Sequence, residues 1–127
     1  MKWDLEHRRA VITGAANGIA RATAHLLASD GARLVLVDLD ADKLAITAEQ
    51  CRKSGAEQVE TFAADLTDGD AVHRLGEFVT STMDGLDLLI PEAGIIGREP
   101  IVEMPDEHWD RIMNINVRAV FQLNREL

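Results

Sequence analysis

Two glycines near the N-terminus and an aspartate further along have the types and spacing that could hold a nucleotide. Gly14 and Gly18 lie between a short apolar run and an alanine-rich stretch, in the segment Thr13-Gly14-Ala15-Ala16-Asn17-Gly18-Ile19-Ala20. Gly14 permits a tight turn, and Gly18 lets the backbone approach a pyrophosphate with no Cβ in the way. A helix that begins at Gly18 directs its free N–H groups at the anion. The alternative is that the glycines only form a turn between strand and helix.

Asp38 is the second candidate binding residue, because it ends the next apolar run of the chain. A carboxylate there can accept hydrogen bonds from the hydroxyls of an adenosine ribose, and it repels a 2′-phosphate. The residue therefore favours NAD over NADP as cofactor. The alternative role of Asp38 is a helix N-cap, which Asp40 is better placed to fill.

The segments that position these residues alternate along the chain between short apolar runs, which predict strands, and stretches with a helical hydrophobic period, which predict helices. We predict strands at 10–13, 34–37, 59–63 and 86–90, and helices at 18–30, 41–54, after Asp68, and at 105–126. Short connections imply parallel strands with right-handed crossovers. The predicted fold is α/β, a three-layer, doubly wound Rossmann-type domain over 1–127. Its strand order is 3-2-1-4, with a crevice where the order switches between strands 1 and 4.

Composition limits the classes of function. The net charge of −9 argues against a surface for nucleic acid. No apolar run approaches the roughly 20 residues of a membrane helix, and the first residues do not resemble a signal peptide. Cys51 is the only cysteine, so an internal disulfide is impossible and a cytoplasmic location is expected. The four histidines share no metal-ligand spacing, and we predict no metal site.

These segments resemble the short-chain dehydrogenase/reductase family, from about Leu5 to Leu127. The glycine loop is similar to the family's TGxxxGxG motif, with Ala20 in place of the last glycine. Asp65-Leu66 is similar to a pair that contacts the adenine in the family; a plain turn is the alternative. Pro91-Glu92-Ala93-Gly94 aligns with the family's NNAG segment, but proline and glutamate replace both asparagines. Pro91 removes a backbone donor, and Glu92 brings a negative charge towards the cofactor.

Asn116 is the candidate catalytic residue, because its segment resembles the one that carries the family's catalytic asparagine. A helical period also places it within an apolar stripe of Trp109, Ile112, Met113, Val120 and Leu123. A buried amide needs hydrogen-bond partners, and local backbone is the alternative role for this side chain. The family's serine and Tyr-x-x-x-Lys pair would follow further along, and this chain contains no tyrosine.

The resemblance implies an NAD-dependent oxidoreductase that transfers hydride between alcohol and ketone. The chain corresponds to its NAD-binding half, truncated relative to the family, and we expect no activity from it alone. The alternatives are a non-enzymatic NAD-binding module and a self-assembling one. The predicted cofactor-binding residues are Gly14, Asn17, Gly18, Ile19, Asp38, Leu39, Asp65, Leu66, Pro91, Ala93 and Gly94.

Self-association is a further expectation. The fourth strand would be an unpaired apolar edge, which can pair with another chain. The final helix is apolar over a wide arc, since Ile115, Val117 and Phe121 lie outside the main stripe. In the family this helix packs into a subunit interface. We therefore expect a homo-oligomer that forms through the strand-4 edge and the helix at 106–126.

Overall fold

The computed structural model describes residues 4–127, in which four parallel strands form one sheet. The strands are β1 (Arg9–Thr13), β2 (Arg33–Asp38), β3 (Gln58–Ala63) and β4 (Leu88–Pro91). Their order is β3-β2-β1-β4, which confirms the predicted doubly wound topology. In the register, Thr13 pairs with both Val37 and Pro91, so the carboxyl ends of three strands meet at one edge.

Helices follow each of the four strands. They are α1 (Gly18–Ser29), α2 (Ala41–Ser54), α3 (Gly69–Met83), α4 (Asp106–Met113) and α5 (Ala119–Glu126), with a π-helical segment (Asn114–Arg118) that joins the last two. Side-chain caps fix two of the starts: Asp40 accepts a hydrogen bond from Lys43 N–H, and Asp68 accepts one from Asp70 N–H, each at 3.0 Å. A short 3₁₀ turn (Ile101–Glu103) lies between β4 and α4.

The core has two parts, one on each face of the sheet. Successive residues of a strand point to opposite faces. Ile12 accordingly packs in the cluster that contains residues of α1 and α2, and Val11 packs in the cluster that contains residues of α3 and α5. Cys51 is fully buried in the first cluster, and burial raises the pKa of its thiol to about 11. This thiol therefore stays protonated and unreactive at neutral pH.

The final helix differs from the prediction in its regularity and in its buried face. It is interrupted by the π-helical segment, and Trp109, Met113 and Asn116 are exposed instead of buried. The residues that contact the core are Ile115, Ala119, Leu123 and Leu127. A π turn takes one more residue than an α-helical turn, so a 3.6-residue period cannot be counted through it. The predicted apolar stripe was therefore wrong at Trp109, Met113 and Asn116, while its member Leu123 is buried as predicted.

β4 is shorter at its start than predicted, since it begins at Leu88. Gly85 has a φ of 125°, and Asp87 binds the side chain of Arg9 instead of extending the strand. Pro91 is the last residue of β4, where the missing N–H affects only the end of the ladder. No helix within residues 4–127 is long and apolar enough to cross a membrane.

Candidate cofactor site

A cleft of about 640 Å³ opens at the edge where the carboxyl ends of the strands meet. This volume falls within the range of small-molecule sites, about 300–1,000 Å³. The loops after all four strands and the final helix contribute to it. Its lining consists of Gly14, Asn17, Gly18, Asp38, Leu39, Ala64, Asp65, Leu66, Thr67, Glu92, Ala93, Gly94, Ile95, Arg111 and Ile115.

The two loop glycines are needed for different reasons. Gly14 has a φ of 71°, and a Cβ added there would lie only 3.0 Å from the backbone N and Cα of Ala93. The buried Thr13 accepts the Ala93 N–H at 3.1 Å, so the β4 loop packs directly on the glycine turn. Gly18 has a φ of 56°, but a Cβ there would meet nothing within 4 Å. The space beside Gly18 is therefore open, while the space beside Gly14 is filled by protein.

The start of α1 differs from the starts of α2 and α3 in having no side-chain cap. Its N-cap residue, Asn17, makes no side-chain hydrogen bond to the first turn. The first backbone N–H groups of a helix have no partner within it, and they carry the positive end of the helix dipole. The first turn of α1 can therefore donate to an anion that lies in the cleft.

Asp38 joins the end of β2 to the glycine loop. One of its carboxylate oxygens accepts the Ala16 N–H, and the other accepts the Asp40 N–H, both at 3.0 Å. Asp40, not Asp38, is the N-cap of α2. A carboxylate offers about four acceptor positions, so two remain for a ligand after these bonds are made. The backbone bonds hold the side chain in place in the wall of the cleft.

Asp65 stabilises a local turn and lines the cleft at the same time. Its Oδ1 accepts hydrogen bonds from the N–H and the hydroxyl of Thr67, at 3.0 and 2.7 Å. These bonds favour the charged carboxylate, and they lower the pKa of Asp65. The turn role and the ligand role are therefore compatible. The buried Leu66 and the exposed Leu39 provide apolar surface beside it.

Asn116 holds the β4 loop. Its Oδ1 accepts the Ile95 N–H at 2.9 Å, and its Nδ2 donates to the Ile95 carbonyl at 2.8 Å. The alternative role predicted for Asn116 was a hydrogen bond to local backbone. The side chain does bind backbone, but that of Ile95, which lies 21 residues away and outside the helix. A Cβ at Gly94 would lie 3.1 Å from Asn116 Oδ1, so the glycine permits this close approach.

Most of the predicted cofactor residues meet in the cleft, but three predicted site residues do not line it. Ile19 is largely exposed, Pro91 ends β4, and the exposed Asn116 uses its amide to bind the backbone of Ile95. The sequence reasoning missed several lining residues: Ala64, Thr67, Ile95, Arg111 and Ile115. Thr67 could have been found as the turn partner of Asp65. Arg111 and Ile115 could not, because the buried face of the final helix cannot be counted through the π-helical segment at 114–118.

The charges around the cleft are mostly negative. The charged lining residues are three acids, Asp38, Asp65 and Glu92, and one base, Arg111. Within residues 4–127 no three His, Cys, Asp or Glu side chains are grouped closely enough to hold a metal ion. The phosphates of a ligand would thus be bound by backbone N–H groups of the glycine loop.

Comparison with known proteins identifies the family to which the chain belongs. The family model described as short chain dehydrogenase matches residues 8–127. The chain is also 35% identical over 125 residues to Nodulation protein G of Rhizobium sp. (strain N33). The matched region covers 98% of this chain and 49% of that protein. The chain therefore belongs to the short-chain dehydrogenase family of oxidoreductases, whose members bind a nicotinamide dinucleotide.

Solved structures support the same assignment. A short-chain dehydrogenase/reductase described as a glucose/ribitol dehydrogenase, from Brucella melitensis, is 37% identical with a TM-score of 0.92, over 99% of this chain and 52% of that one. A metagenomic short-chain oxidoreductase in complex with NADP is 32% identical with a TM-score of 0.92, over 98% and 57%. The chain spans about half the length of the curated relatives it matches.

Proposed function

We propose that this chain binds NAD and serves as the cofactor-binding portion of an oxidoreductase that interconverts an alcohol and a ketone. The observation that carries the proposal is the fixed carboxylate of Asp38, beside a glycine loop that leads into an uncapped helix start. The bound cofactor supplies hydride transfer. The residues of this chain bind the cofactor, orient it and exclude water from it.

The geometry of the cleft fits a dinucleotide. The open space at Gly18 accommodates a pyrophosphate within reach of the N–H groups of α1. Asp38 accepts from the adenosine ribose, and the strand order then directs the base towards the end of β3, where Asp65 and Leu66 lie. Ala93, at the end of β4, would then be left to contact the other half of the cofactor. The adenosine half therefore has more contacts within this chain than the nicotinamide half.

The choice of NAD over NADP follows from charge. A phosphate on the 2′ oxygen would lie against the Asp38 carboxylate, whose geometry is already fixed by two backbone bonds. Lys43 is close in sequence, but its ammonium group lies 3.6 Å from the Asp40 carboxylate instead of facing the cleft. The repulsion at Asp38 therefore has no cationic compensation in the adjacent turn.

Turnover is a separate matter from binding. The acids among the lining residues are the carboxylates of Asp38, Asp65 and Glu92, and no phenol lies among them, since the chain contains no tyrosine. We propose that residues 1–127 bind the cofactor without reducing or oxidising a substrate. The proposed location is the cytoplasm, where the buried, unpaired Cys51 is stable as a thiol.

Calorimetric titration of Asp38→Ala tests the cofactor assignment. Loss of the ribose contacts should weaken NAD binding roughly tenfold. NADP binding should change less, because the same variant also removes the repulsion between the Asp38 carboxylate and the 2′-phosphate. The control is Asp42→Ala, which removes an equal charge from an exposed position on α2 outside the cleft. Equal effects of the two variants on NAD affinity would contradict the assignment.

We also propose that copies of the chain associate through the final helix. Trp109, Met113, Val117 and Phe121 recur every four residues and are 37–60% exposed. β4 lies at the edge of the sheet within residues 4–127 and offers a second contact. Light scattering should therefore report an oligomer that Phe121→Ser weakens. A monomer at high micromolar concentration would contradict this proposal.

A further inference from the structure

Arg111 is an unassigned side chain of the cofactor cleft. It lies in α4, one helical turn before Ile115, and both residues line the cleft. It is the only positively charged residue among the lining residues. Arg111 makes no ion pair or side-chain hydrogen bond with any residue in the described range, and it is exposed. Its guanidinium group is therefore available to a ligand.

The position of Arg111 identifies which part of a dinucleotide it meets. β3 lies beyond β2 in the sheet, so a ligand whose ribose is held at Asp38 carries its base towards Asp65. The positive charge of Arg111 helps to lower the pKa of Asp65, although the two side chains form no ion pair. Ile115, one turn after Arg111, packs against the core cluster that contains Leu66, so Arg111 lies at the base end of the cleft, which Asp65 and Leu66 line.

The surroundings of Arg111 suit a flat aromatic ring. Leu66 and Ile115 belong to one apolar cluster and supply apolar surface near it, and Leu39 is an exposed apolar residue of the same cleft. A guanidinium group is planar and weakly hydrated, and it stacks on aromatic faces. Stacking of this kind is known for bases in nucleic-acid sites as well.

We propose that Arg111 closes the base end of the cleft by stacking its guanidinium group on the adenine ring of the bound dinucleotide. The inference rests on the proposed function and adds a specificity residue to it. In the proposed function the pyrophosphate binds the N–H groups at the uncapped start of α1, which leaves Arg111 for another part of the ligand. The contribution of Arg111 to affinity should therefore depend on the adenine ring of the ligand and not on its phosphates.

Calorimetry with three variants and four ligands tests this role. Arg111→Ala should weaken NAD and ADP-ribose by the same factor, roughly 3- to 10-fold, and leave nicotinamide mononucleotide unchanged. Arg111→Lys keeps the positive charge but replaces the planar guanidinium group by an ammonium group, so we expect most of the same loss of NAD and ADP-ribose affinity. Arg118→Ala is the matched control, since it removes an exposed arginine of the same helical run from outside the cleft. It should bind like the wild type.

Four results would overturn the inference. Equal ADP-ribose binding by Arg111→Ala and the wild type would show that Arg111 contributes nothing, while the proposed function would stand. Full retention in Arg111→Lys would mean that charge alone acts. A larger loss for NADP than for NAD would assign Arg111 to the 2′-phosphate. Failure of the wild type to bind ADP-ribose at all would remove the proposed function together with this inference.

Discussion

Replacing each loop glycine by alanine separates packing from ligand binding. A residue with a Cβ in the left-handed region costs about 1–2 kcal/mol, and both Gly14 and Gly18 have positive φ. At Gly14 the Cβ would also lie 3.0 Å from two backbone atoms of Ala93, which cannot move without disturbing the end of β4. Overpacking of this kind adds about 1–3 kcal/mol. The expected loss in the free energy of unfolding is therefore about 2–5 kcal/mol for Gly14→Ala and about 1–2 kcal/mol for Gly18→Ala.

Thermal unfolding and calorimetry read out the two effects. For a chain of this size, about 1 kcal/mol corresponds to roughly 4 °C in Tm, so Gly14→Ala should unfold about 8–20 °C below the wild type. Gly18→Ala should remain folded, with a loss of about 4–8 °C. Its NAD affinity should nevertheless fall strongly, because the added methyl group occupies the open space where a pyrophosphate would lie. A Gly14→Ala variant as stable as Gly18→Ala would refute the packing argument, and unchanged NAD affinity in Gly18→Ala would refute the binding one.

Three further predictions concern single side chains of the site. Glu92→Gln removes one of the cleft's three acids, so calorimetry should find dinucleotides bound roughly 2- to 5-fold more tightly, and a weaker affinity would contradict the repulsion. Asn116→Ala leaves both polar groups of the Ile95 backbone without their partner, and hydrogen exchange of the β4 loop should accelerate while α2 stays unchanged. The hydrogen bonds from Thr67 lower the pKa of Asp65 in the folded protein. They therefore stabilise the fold at pH values above the pKa of the unfolded carboxyl, about 4, and this stabilisation is lost as the pH falls through the lower pKa of the folded state. Thr67→Ala should therefore flatten the pH dependence of Tm in acid, and an unaltered profile would count against this assignment.

The sheet could be predicted from the sequence because its signals are local. The apolar runs that became β1 and β2 are buried on both faces, as parallel strands require, and turn residues bound them. Asp40 is a predicted cap that the structure confirms, and Asp68, after which a helix was predicted, caps α3 in the same way. Short connections and right-handed crossovers limit the possible topologies, and the layout of glycine loop and strand-end acid favours the order 3-2-1-4.

The far wall of the cleft could not be predicted in the same way. Arg111 and Ile115 reach the cleft from a helix that contains a π turn, and hydrophobic periodicity assumes regular α-helix. The same assumption placed Asn116 in the core, whereas its amide is exposed and pairs with the backbone of Ile95. These contacts depend on how the β4 loop packs on Gly14, which is a tertiary property.

The chemistry of the site was more predictable than its contacts. Gly14, Gly18 and Asp38 have roles that depend on their position at strand ends, and the structure brings all three to one cleft. Asp38, however, also holds the glycine loop through Ala16, a bond that its spacing does not reveal.

Titration of the chain with ADP-ribose, NAD and NADP in one calorimetric series is the most direct test of the proposed cofactor site. If the adenosine half supplies most of the affinity, ADP-ribose and NAD will bind with Kd values within a few-fold of each other. NADP will bind roughly tenfold more weakly than NAD because of Asp38. NADP binding equal to or tighter than NAD, or ADP-ribose binding far weaker than NAD, would contradict the proposed site.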